Sequence, residues 1–65
     1  MIETLLQITG PHFAAGVVAR DGRVIQTAPI LARVIRNGMS GGDVAAQCRK
    51  MGWSWEIVHK IESAP

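Results

Sequence analysis

"GWSWEIVHKI", residues 52–61, decides the fold. Trp53, Trp55, Ile57, His59 and Ile61 alternate with Ser54, Glu56, Val58, Lys60 and Glu62. The first set is apolar or amphipathic, and the second holds one apolar residue, Val58. A period of two sustained over 53–61 predicts a β-strand with one buried face, and Trp and Ile are good strand formers. The competing reading is a helix-turn-helix at 44–61. There Cys48 is the small residue four positions before Gly52, Gly52 makes the turn, Ser54 caps a second helix and Val58 anchors it. That helix would turn Trp55 and Val58 away from the face of Trp53, Ile57 and Ile61 and turn Glu56 toward phosphates, where a carboxylate is repelled. The strand is the better reading.

Working backward from Gly52, the segment 41–51 predicts a helix. Ser40 is a good N-cap with Asp43 three residues on, close to a capping box, and Asp43 suits the positive end of the helix dipole. Val44, Cys48 and Met51 fall on one face and are expected in the core. Arg49 and Lys50 sit in the last turn, and Gly52 is placed to close the helix in the left-handed conformation. "PILARVIRNG", 29–38, predicts a second short helix near 30–37. Pro29 suits a first turn, Ile30, Leu31, Val34 and Ile35 make an apolar stripe, and Asn37-Gly38 is a stop signal.

"HFAAGVVARDGRVIQTAPIL", 12–31, predicts a hairpin over 13–28 around Asp21-Gly22, a pair suited to a type I′ turn. This turn sets Arg20 opposite Arg23, Ala19 opposite Val24, Val18 opposite Ile25 and Val17 opposite Gln26. Two facing arginines repel, so at least one should find an anion or turn away. Phe13, Ala15, Val17 and Ala19 share a face. Ala14, Gly16 and Val18 share the other, whose small size suggests close packing by a helix or a partner. Pro29 should end the second strand. "MIETLLQIT" fits a short helix or a strand, with the strand preferred, and Gly10-Pro11 breaks it.

The chain has 65 residues, 48% hydrophobic and 18% charged. That composition forms a core. It predicts one domain, 1–65, near the lower size limit for folding unaided, so homodimerisation is an expectation. A net charge of +2 permits nucleic-acid contact without demanding it. No apolar run is long enough for a membrane span. "MIETLLQITG" does not read as a signal peptide, and with a single cysteine the expected compartment is the cytoplasm.

Catalytic chemistry is not encoded in any recognisable pattern. Cys48, His12 and His59 match no metal-ligand spacing, so neither metal nor cofactor is expected. No nucleophile has an identifiable His and acid partner, and "GMSGGD" lacks the lysine of a phosphate loop. The expectation is a protein that is not an enzyme. The cations come in pairs: Arg20 and Arg23 at the hairpin tip, Arg33 and Arg36 on a helix face, Arg49 and Lys50 at a helix end. These, with Trp55 if it faces solvent, are the candidate partner-binding residues, because exposed Trp and Arg are favoured interface anchors. An arginine-tipped β-ribbon could instead enter a nucleic-acid groove.

"ITGPHFAAGVV", "DGRV", "APIL" and "GWSWEIV" together resemble small proteins encoded by bacteriophages and prophages. Those share a run similar to T-x-P-H-F-x-A-G, then G-R-V, A-P-I-L and a closing G-W-x-W-E-V. The resemblance spans residues 8–58 and implies origin and size more than mechanism, since that family carries no assigned activity. It often has Cys or Thr where Ala14 stands, so no thiol chemistry transfers to that position. What it implies by analogy is a non-enzymatic binder of a host protein complex, such as an anti-CRISPR inhibitor. A nucleic-acid-binding regulator and a dimerising structural or assembly protein are the alternatives. The expected fold is α+β, with a small antiparallel sheet, made of the hairpin and the C-terminal strand, covered by two short helices.

Overall fold

The turn at Asp21-Gly22 organises the sheet. In the computed structural model, which describes residues 2–62, Asp21 and Gly22 both take positive φ, 50° and 83°. A type I′ turn requires this at both central positions. It joins β2 (Ala14–Arg20) to β3 (Arg23–Thr27). β1 (Ile2–Thr9) pairs antiparallel with β2 on one side and with β4 (Ser54–Glu62) on the other. The sheet order is β3-β2-β1-β4, so β1 is central and β4 is an edge.

Two bulges shift the pairings expected from sequence. Arg20 faces Arg23 and Ala19 faces Val24, but Val18 then faces Gln26 and Val17 faces Thr27. Ile25 is the extra residue, which turns it outward and keeps Val24 and Thr27 on the Val17 side. In β4, Leu6 faces Ile57 while Leu5 faces His59, leaving Val58 extra. Trp55 and Ile57 therefore share a face with Ile8 and Leu6. His59 and Ile61 stand on the opposite face with Leu5 and Glu3, not with the tryptophan as the alternation implied.

One buried cluster holds the layers together: Leu6, Ile8, Val17 and Val24 from the sheet, with Leu31, Ile35, Val44 and Cys48 above them. All four sheet residues point one way, so the second layer covers a single face. Its helix, α1 (Gly41–Met51), is capped as expected. The Asp43 N–H donates to Ser40 Oγ at 3.2 Å, and Gly52 closes the helix at φ 74°. Val44 and Cys48 are buried, whereas Met51 is exposed and does not join the core. Replacing Ser40 by alanine is expected to cost about 1 kcal/mol, a fall in Tm of about 4–8 °C in circular-dichroism melts. Ser40→Asp should restore most of it.

The second helix expected near 30–37 does not form. Pro29–Leu31 makes one 3-10 turn, followed by further turns. Nucleating a helix is costly for so short a run, and it is rich in β-branched residues. Leu31 and Ile35 reach the core without it, linked by the Ile35 N–H donating to the Leu31 carbonyl at 2.8 Å. Ile30, read as part of the stripe, is 64% exposed.

Segment 38–41 then runs along the free edge of β3. The Val24 N–H donates to Met39 O, the Gly38 N–H to Val24 O, and the Gly41 N–H to Gly22 O. That edge is covered. Among the described residues no helix is long and apolar enough to cross a membrane.

Candidate functional site

The six cations named from sequence separate into two groups. Arg20 and Arg23, opposite each other at the hairpin tip, are both engaged. Arg20 donates through Nη2 and Nε to Glu3 Oε1 across the β1–β2 pair, at 2.6 and 3.0 Å. Arg23 donates through Nη1 to the Gly38 carbonyl at 3.0 Å. The repulsion expected between them is relieved in this way. The tip is tied further to β1, because the Ile2 N–H donates to an Asp21 carboxylate oxygen at 2.9 Å. These arginines hold the hairpin in place.

Arg33, Arg36, Arg49 and Lys50 are different. All four are exposed and belong to the layer packed over the Leu6/Val17 face. Among the described residues the ion pairs are Arg20–Glu3 and Lys60–Glu62, so none of these four is paired. Against them the layer carries one carboxylate, Asp43, for a net of +3; the strands and hairpin tip, with three cations and four carboxylates, stand at −1. The net charge of +2 is thus unevenly divided between the helical layer and the sheet.

Trp53 and Trp55 have separate fates. Trp53 is half-buried and meets the Phe13 ring edge-on, with centroids 5.0 Å apart and planes at 87°. Trp55 is 46% exposed on β4. Beside it lies an apolar groove of about 260 Å³, open between α1 and the sheet and walled by Trp55, Ile57, Leu6 and Val44. The groove exists because Ala19, Ala45, Gly22 and Gly41 leave room. Sequence reasoning missed Ile57 and this groove. The regular alternation assigned Ile57 to the core, and the small residues around it come from three different segments, β2, the turn and α1.

A minority of the residues that carry the phage-protein resemblance pack in the interior. Phe13 and Trp53 stack, Leu31 of "APIL" is fully buried, and Val24 of "DGRV" is 2% exposed. His12 is exposed in the turn. Burial raises the Cys48 thiol above its ordinary pKa, which disfavours the reactive thiolate. Among the described residues no three His, Cys, Asp or Glu side chains gather into a group able to hold a metal ion. The second helix of a helix-turn-helix is absent, since 54–62 is strand throughout. Comparison with protein-family models, curated proteins and solved structures finds no match for this chain.

Proposed function

We propose that this chain is a non-enzymatic binding protein that docks its cationic layer on an acidic surface of a host protein complex and inhibits it, in the manner of anti-CRISPR proteins. The observation that carries the reading is the set of four unpaired cations, Arg33, Arg36, Arg49 and Lys50, opposed by Asp43 alone. Complementary charge steers such an encounter and fixes its partner. The resemblance to small phage proteins supplies the class of target by analogy.

The test is affinity capture from nuclease-treated bacterial lysate at low salt, with an Arg33→Glu/Arg36→Glu double variant beside the parent chain. The parent should retain a defined host protein, and the double reversal should weaken retention about tenfold or more. Equal retention by both chains would remove the cationic layer from the interface. Duplex DNA is the other acidic target these cations could meet. Neutralising about four phosphates would make affinity fall about a hundredfold between 50 and 200 mM salt, and a gel-shift titration flat in salt would count against it.

A further inference from the structure

The sheet treats its two edges differently. Segment 38–41 pairs with the outer edge of β3. Among the described residues nothing covers the outer edge of β4 in this way, and each of its nine residues is exposed. An uncovered strand is a template for pairing with another chain, and proteins blunt such edges with bulges and charged residues. β4 is blunted chiefly along one half, and Glu56 is the one charge in the other. The bulge at Val58 and the Lys60–Glu62 ion pair occupy the C-terminal half. Ser54–Ile57 carries no bulge, no Lys and no Pro, and it presents Trp55 and Ile57 beside the groove.

We propose that a second copy of this chain covers the outer edge of β4, pairing antiparallel through residues 54–57 about a two-fold axis perpendicular to the sheet. Three observations select a second copy. First, the surface is self-complementary, because protruding Trp55 and Ile57 stand next to an apolar groove of about 260 Å³. A two-fold contact needs one patch that matches itself. Second, the chain exposes more surface than its size warrants. Its 4479 Å² compares with about 4000 Å² for a compact monomer of this mass. Eight hydrophobic residues are buried and nine large ones are exposed among those described, four of the nine on β4. Residues 54–57 span about 14 Å, so the ladder alone falls short of the roughly 600 Å² per copy of a specific dimer, and Trp55 and Ile57 seated over the two grooves supply the rest. Third, charge permits this face and opposes the other. β4 carries Glu56, Lys60 and Glu62, whereas the helical layers at +3 each would repel.

The bulge also sets where pairing must stop. A perpendicular two-fold keeps each face of the sheet continuous, so paired residues must lie on the same face. Residues 54–57 alternate regularly and satisfy this. Beyond Val58 the faces exchange, which confines the ladder to the N-terminal half. With the axis at Trp55, the two Trp55 side chains meet over the grooves and Ser54 faces Glu56; with the axis at Glu56, Trp55 faces Ile57 but two carboxylates stand directly opposite, which disfavours that register. The cationic layers then fall on one side of a continuous eight-stranded sheet, free for the partner proposed above, although the dimer does not depend on that partner.

Sedimentation equilibrium of the full chain decides it. At about 0.1 mM the parent should sediment at about 14 kDa, twice its 7.0 kDa. Ile57→Lys should lower the association constant at least about tenfold, with an unchanged far-UV spectrum, because this side chain is 56% exposed in the single chain and outside its core. Ile30→Lys, on the other layer, should leave the dimer intact. A parent that sediments at 7 kDa, or an Ile57→Lys chain that associates as tightly as the parent, overturns the proposal.

Discussion

Replacing Ile8 by alanine is expected to bring the chain to the edge of unfolding at 25 °C. Ile8 lies on the central strand, opposite Ala15 on one side and Trp55 on the other, and it is fully buried. Its neighbours cannot close the gap. Ala15 is already small, and the β1–β2 and β1–β4 ladders fix the backbone on both sides. A large-to-small change at a site that cannot collapse costs about 3–4 kcal/mol. A chain of this size has about 3–5 kcal/mol in total, so little remains. In thermal melts at fixed protein concentration, Tm should fall by about 15–25 °C. Ile30→Ala is the internal comparison: the same chemical change at a residue 64% exposed should shift stability by no more than about 0.5 kcal/mol. If the two variants melted alike, the buried cluster would not be what holds the layers together.

Contrasts of this kind mark how far the sequence carried the fold. The local devices were legible. Asp21-Gly22 specified its turn, and Ser40, Asp43 and Gly52 specified the ends of α1, because each acts through backbone groups a few residues away. The failures come from tertiary context. The stripe of Ile30, Leu31, Val34 and Ile35 has helical spacing, but a 3-10 turn and the turns after it suffice to bury Leu31 and Ile35. The bulges at Ile25 and Val58 leave no compositional trace, yet each decides which side chains share a face. The candidate site divides in the same way. Trp55 was named from residue type and is exposed. That Arg20 is held by Glu3 depends on the β1–β2 register, 17 residues apart in sequence, and no spacing rule could show it. The edge position of β4 follows from β1 taking the centre of the sheet, a choice made by the whole topology.

Gly10→Ala should cost about 2–3 kcal/mol, although it adds one methyl group at a turn. The backbone at Gly10 is not in the left-handed region, so the cost is one of space. A Cβ built there overlaps the Phe13 ring, and the loop is fixed around that contact by the Gly10 N–H donating to Phe13 O at 2.9 Å. The ring can move aside only by giving up a second contact. Its other side meets Trp53 edge-on, an arrangement worth about 1 kcal/mol beyond burial. Trp53 is itself anchored where α1 passes into β4, by its N–H donating to Cys48 O at 2.8 Å. Strain introduced at Gly10 is therefore delivered to the junction that sets β4 against β1. Urea unfolding followed by tryptophan fluorescence should show the midpoint fall with the slope unchanged. The cause can be isolated by repeating the substitution in a Phe13→Leu background. Leucine is smaller and more adaptable, so the penalty should drop there by at least about 1 kcal/mol, a coupling expected only of residues in contact. An equal penalty in both backgrounds would mean that the glycine is required by the turn alone, and that the Phe13–Trp53 contact does not connect the turn to the edge strand.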